Sequence, residues 1–142
     1  MKRFETLADI HPYYNSESDT YDFSDNGTLL DIELTFSLCT HSNIRAHDIR
    51  VSDRESMLAY NINAHDITGG YILSGANIYA NDITDVVILL GDEIHTHDID
   101  VLKINGGYIY ANIVEAADIV MAHLEAADTH CGVICHSDPT CD

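Results

Sequence analysis

Positive charge is what this sequence has least of. Six Lys and Arg stand against 24 Asp and Glu in 142 residues, a formal charge of -18. After Arg54 the only Lys or Arg is Lys103, while fourteen acidic residues lie between Glu55 and Asp142. Nucleic acids are held by cationic side chains that displace counterions, so direct binding of DNA or RNA is argued against, as is an anionic membrane surface. The expected attraction is to cations and basic protein surfaces.

Long apolar runs are lacking too. No segment approaches the roughly eighteen uninterrupted apolar residues of a membrane-spanning helix. Met1-Lys2-Arg3-Phe4-Glu5 opens with two basic residues, but Asp9, His11 and Pro12 follow before any apolar stretch of a signal peptide. A cytoplasmic location is the default expectation. Cys39, Cys131, Cys135 and Cys141 are too few and too unevenly placed for a disulfide framework. There is no G-x-S-x-G, no P-loop and no G-x-G-x-x-G, so the chain reads as non-enzymatic.

What is present is a repeat. Residues 61–76 (NINAHDITGGYILSGA), 77–92 (NIYANDITDVVILLGD) and 93–108 (EIHTHDIDVLKINGGY) align without gaps, and the first two share nine of sixteen positions. Isoleucines fall at Ile62, Ile67, Ile72, then Ile78, Ile83, Ile88, then Ile94, Ile99, Ile104. Steps of five, five and six cannot stay on one face of a helix or of a flat strand. They fit coils of about sixteen residues with one inward isoleucine on each of three sides. Ile44 and Ile49 begin an earlier coil with an insertion around Asp53 to Met57; Ile109, Ile113, Ile119 and Leu124 continue the pattern, with a residue missing near Asn112. Small residues such as Ala46, Ala64, Gly69, Ser74, Ala80 and Gly106 fit the corners.

The fold expected is thus all-β: a single three-sided parallel β-solenoid, its handedness left open. Residues 1–42 read as an N-terminal cap containing one long alternating strand, Leu30 to Leu38, after a loop from Pro12 to Thr28. Residues 43–127 read as the repeats and 128–142 as a C-terminal cap.

The phrases Ile62-Asn63-Ala64-His65-Asp66 and Ile78-Tyr79-Ala80-Asn81-Asp82 resemble the pentapeptide-repeat family over roughly residues 43–124. There an Asp or Asn precedes the central apolar residue, as Asp48, Asp66, Asp82, Asp98 and Asp118 do here. The small residue falls two after the apolar position rather than two before, and the sixteen-residue period favours a triangular coil over the family's square one. The resemblance implies an acidic mimic of duplex DNA that occupies a basic, DNA-binding protein such as gyrase.

The candidate partner-binding residues are the stacked acidic column Asp48, Asp66, Asp82 and Asp98. Bare carboxylates at about 4.8 Å repel by roughly 1–3 kcal/mol. Each is therefore expected either to accept a backbone N–H at its corner or to face a cation or partner. Beside them runs a polar column, His47, His65, Asn81, His97 and Asn112, read as stacked corner residues or as a pH-responsive surface. The tail gathers His130, Cys131, Cys135, His136 and Cys141. These donors suit Zn²⁺ stapling a cap, against the alternative of free or buried thiols. Ca²⁺ bridging acidic faces is the other cofactor considered. Tyr60, Tyr71, Tyr79, Tyr108 and Tyr110 are either partner anchors or surface aromatics packed across coils. His95 and His123 are the histidines an enzyme on a β-helix would use. The rival to a binding protein is a structural one, self-associating end to end into a filament or scaffold.

Overall fold

Three columns of apolar side chains run the length of the core, one for each side of a triangular coil. On the first face, Ile32, Ile49, Ile67, Ile83 and Ile99 are in register; on the second, Leu38, Met57, Leu73, Leu89 and Ile104; on the third, Tyr21, Ile44, Ile62, Ile78, Ile94 and Ile109. All of them are buried. The computed structural model describes residues 1–136, with side chains through residue 134. It is a parallel β-solenoid.

The first face is built from Lys2–Phe4, Ile32–Leu34, Asp48–Val51 and Asp66–Gly69, and then from the opening residues of the long runs Asp82–His95 and Asp98–His136. Each coil returns in the same direction, so its ladders are parallel and its backbone groups pair with the coils on either side. Each buried Ile or Leu contributes about 2 kcal/mol by leaving water. A single coil has no partner for that surface, and stacking supplies one.

The structure corrects the assignment of two inward isoleucines. Ile72 and Ile88 are only half-buried and share an outward column with Lys103; Leu73 and Leu89, one residue later, fill the core. The sixteenth residue of a coil enters earlier than the isoleucine pattern implies. It is a bulge at the corner between the first and second faces, occupied by Asp85, where the register passes from Thr84↔Asp100 directly to Val86↔Val101. Asp85 adopts φ 60°, as Gly69 one coil earlier adopts φ 83°. Beyond Asp98 the bulge is gone and the core runs strictly in fives through Ile99, Ile104, Ile109, Val114 and Ile119. Thus the missing residue lies opposite Asp85 rather than near Asn112, and Val114 rather than Ile113 is the buried one.

The stretch from Leu30 to Leu38 keeps its alternation but is not one strand. Ile32–Leu34 lies on the first face and Leu38–Cys39 on the second, with a corner between them. Coils therefore begin before Asn43, since Thr20–Asp22 already pairs with Asn43–Arg45. Within the expected loop, Asn26 and Gly27 (φ 50° and 80°) close a small hairpin of Ser24–Asp25 with Thr28–Leu29.

Capping of the N-terminal end falls to the first nineteen residues. Helix α1, Leu7–Ile10, starts at a Thr6/Asp9 capping box and passes into the 3₁₀ turn His11–Tyr13. It buries Ile10 next to an aromatic cluster of Phe4, Tyr13 and Phe23 with ring centroids 5.4–5.5 Å apart. Tyr14–Asn15 closes the third ladder by pairing antiparallel to Thr20–Asp22. At the other end, strand continues to His136, so the described part of the expected C-terminal cap is more coil. Leu124 and Ile134 are half-buried against the core there.

Candidate functional site

The acidic column sits at the corner between the third and first faces. Asp48, Asp66, Asp82 and Asp98 each open a first-face strand and are aligned rung on rung. The inward isoleucine follows each aspartate, so alternation turns the carboxylate outward. Ala46 and Ala64, buried inside the bend, leave room for the chain to turn just before His47 and His65.

The carboxylates bond upward along the solenoid. Asp48 N–H donates to Asp31 Oδ1 at 3.3 Å, Asp66 N–H to Asp48 Oδ1 at 3.2 Å and Asp82 N–H to Asp66 Oδ1 at 3.2 Å. A backbone donor was one expectation for these groups, but it comes from the neighbouring coil rather than from the residue's own turn. One oxygen of Asp31, Asp48 and Asp66 is thereby tied to the fold, while the side chains of Asp48, Asp66, Asp82 and Asp98 remain 33–39% exposed.

Asp31 is a member of the column that sequence reasoning missed, although Asp31-Ile32 has the same Asp-Ile signature. Asp118-Ile119 shares that signature without belonging. Asn112 and Ile113 N–H both donate to His97 O, as Asn81 and Asp82 do to His65 O, so the rung after His97-Asp98 is Asn112-Ile113. Asp118 instead lines a second-face surface with Ile88 and Lys103.

The histidines interleave with the acids. His47 Nδ1 lies 2.7 Å from Asp31 Oδ1 and 3.4 Å from Asp48 Oδ1. His65 Nδ1 lies 3.4 Å from both Asp48 Oδ1 and Asp66 Oδ2. The two imidazoles stack at 4.9 Å with planes 4° apart. Further along, His97 Nδ1 is 3.2 Å from Asp98 Oδ1 and 3.8 Å from Asp82 Oδ1. Those two oxygens are buried and have no hydrogen-bond partner among the described residues. His47, Asp48 and His65 form one group whose ligand atoms all lie within 4.8 Å of one another, and Asp82, His97 and Asp98 form another.

The hydrogen bond from His47 holds the Asp31 carboxyl below its ordinary range, helped by the Asp48 N–H. The same bond raises His47, with Asp48, Asp31 and Asp66 adding to it through their charge. The raised His47 contributes stability below the unfolded imidazole value that is lost as pH climbs through its folded pKa. The lowered Asp31 contributes above the unfolded carboxylate value and is lost as pH falls through its folded pKa. In metal-free buffer, Asp31→Asn is therefore expected to lower the His47 titration midpoint in imidazole NMR. Its stability deficit should be largest between about pH 4 and 6.5, the ordinary values of the two groups. Identical His47 titrations in the two proteins would refute the pairing.

Other sequence candidates are placed differently. His130 turns out to Asp128, 3.1 Å away, while half-buried Cys131 packs on the core and lies near Ala117 O. Neighbours on one strand point to opposite faces. The structure therefore does not bring His130 and Cys131 together. Cys141 and the side chains of Cys135 and His136 lie outside the described residues. On the third face, His95 is sandwiched between Tyr79 and Tyr110, with centroids 5.0 and 4.7 Å away and planes within 11°. A shallow cleft of about 690 Å³ at the bulged corner is lined by Arg50, Asp53, Asp85, Asp100 and Leu102 among others. No described helix is long and apolar enough to cross a membrane.

Fold and corner together define the class, an acidic three-sided β-solenoid with an aspartate–histidine column along one edge. Comparison with protein families, curated proteins and solved structures finds no match to the chain.

Proposed function

We propose that this chain is a non-enzymatic binding protein that occupies a basic, nucleic-acid-binding protein by imitating the charge of duplex DNA. The observation that carries the reading is the register-aligned column Asp48, Asp66, Asp82 and Asp98 on a rigid edge. Charge density supports it. Between Glu55 and His136 twelve acidic residues accompany Lys103 alone. With coils rising about 4.8 Å, that is one net negative charge per roughly 2.3 Å of axis, against about 1.7 Å for duplex DNA. The resemblance to pentapeptide repeats points the same way.

The rival reading, head-to-tail assembly, needs two open ends. Here the N-terminal end is covered by α1, the 3₁₀ turn and an antiparallel strand. The binding reading is the better supported.

The test is Asp66→Asn/Asp82→Asn/Asp98→Asn. Asparagine keeps the shape at all three positions and, at residue 66, an acceptor for the Asp82 N–H. Asp82 Oδ1 and Asp98 Oδ1 hold no hydrogen bond among the described residues, so three charges go with that one bond kept, and circular dichroism checks the fold. Basic proteins retained from nuclease-treated extract are expected to bind the triple variant several-fold more weakly, to elute at moderate salt, and to be displaced by duplex DNA. Full-strength retention by the variant, or indifference to added DNA, would overturn the reading.

A further inference from the structure

We propose that the corner column is also a metal site, with His47, Asp48 and His65 holding one borderline transition-metal cation of the Zn²⁺, Co²⁺ or Ni²⁺ class. Two imidazoles and one carboxylate converge there: Asp48 Oδ1 stands 3.4 Å from His47 Nδ1 and 3.4 Å from His65 Nδ1. Donors bonded at about 2.1 Å to a tetrahedral ion are separated by about 3.4 Å, so both edges have the length that coordination requires. All three ligand atoms lie within 4.8 Å of one another. The two rings are stacked with planes 4° apart, so each turns to aim its Nδ1 lone pair at a shared ion as the metal enters.

The donor chemistry selects the ion. Imidazole nitrogen suits Zn²⁺, Co²⁺ and Ni²⁺, whereas Ca²⁺ and Mg²⁺ take all-oxygen shells. Access is open, since the His47 and His65 side chains are 48% and 52% exposed. A dication would also offset the mutual repulsion of Asp31, Asp48 and Asp66. Loading costs the His47–Asp31 hydrogen bond, and the proton leaves as metal enters.

The same logic repeats, one imidazole poorer, at Asp82, His97 and Asp98, where two buried carboxylate oxygens lie beside His97 Nδ1 without a hydrogen-bond donor. Asn81, occupying the histidine position between them, separates the two groups. The sequence sets these residues in adjacent columns, but the ligands come from successive coils and match no local metal motif, so only the structure gives their distances.

The experiment titrates the metal-free full chain with ZnCl₂ by calorimetry and with CoCl₂ by absorption, for the native protein, His65→Asn and His97→Asn. Asn81 shows that asparagine fits this column, and circular dichroism checks that each variant is folded. His65→Asn is expected to remove one tightly bound Zn²⁺ per chain, or to weaken it at least tenfold, while His97→Asn leaves that ion in place. The Co²⁺ complex is expected to lack thiolate charge-transfer bands, and Zn²⁺ should shift the imidazole NMR signals of His47 and His65. Unchanged binding by His65→Asn would overturn the proposal. So would a cobalt spectrum dominated by thiolate, which would place the ion on cysteine, or equal competition by Ca²⁺, which would mark a diffuse acidic atmosphere.

Discussion

Leu89→Ala will cost about 2–5 kcal/mol of unfolding free energy, whereas Ile88→Ala, one residue earlier, will cost about 1 kcal/mol or less. Leu89 is 0% exposed and stacks between Leu73 and Ile104, so its truncation leaves a cavity that rigid rungs on both sides cannot collapse into. Ile88 stands between Ile72 and Lys103 on the outer surface, where a lost side chain is replaced by water. The repeat read as a bare isoleucine pattern expects the opposite ranking. Urea unfolding of the two variants decides between them. Equal losses, or a greater loss at Ile88, would mean that the bulge at Asp85 is misplaced.

The reason that ranking was not legible in the sequence is local. Ile72-Leu73 and Ile88-Leu89 are adjacent apolar pairs, and either member satisfies an inward position, so periodicity alone cannot choose. The third coil does choose, because Lys103-Ile104 occupies the same place and a lysine stacked in a column cannot face the core. Three sides, a period near sixteen and the alignment of Asp66, Asp82 and Asp98 were readable because those positions repeat without insertion. Asp31 was not, since seventeen residues separate it from Asp48 and eighteen separate Asp48 from Asp66. Ladder pairing absorbs such differences in corner loops, as it does at Ser52 to Ser56, while a fixed-period alignment is broken by them. The columns that hold His47, Asp48 and His65 were legible as neighbours, but the convergence of their ligand atoms within 4.8 Å was not, because it depends on the coil register and side-chain rotamers.

Gly69→Ala will be among the most damaging single-methyl additions to this protein, at about 3 kcal/mol or more, while Gly27→Ala will cost about 1–2 kcal/mol. Both glycines have left-handed backbones, with φ 83° and 80°. An L side chain pays roughly 1–2 kcal/mol for that conformation wherever it occurs. Around Gly27 nothing lies within 4 Å of an added Cβ, so the conformational cost is the whole effect. A Cβ on Gly69 would stand 2.3 Å from Val51 O, a backbone atom of the adjacent rung. Val51 cannot retreat without opening the pairing of Asp48–Val51 with Asp66–Gly69, on which the first face depends. The bulge one coil later separates the two contributions, because Asp85 there carries a side chain at φ 60°. Left-handed backbone at this corner therefore does not by itself demand glycine. The close approach of Val51 does. Unfolding free energies of the two alanine variants, measured side by side, test this directly. Equal losses would show that conformation alone governs the corner and that the rungs can part there cheaply.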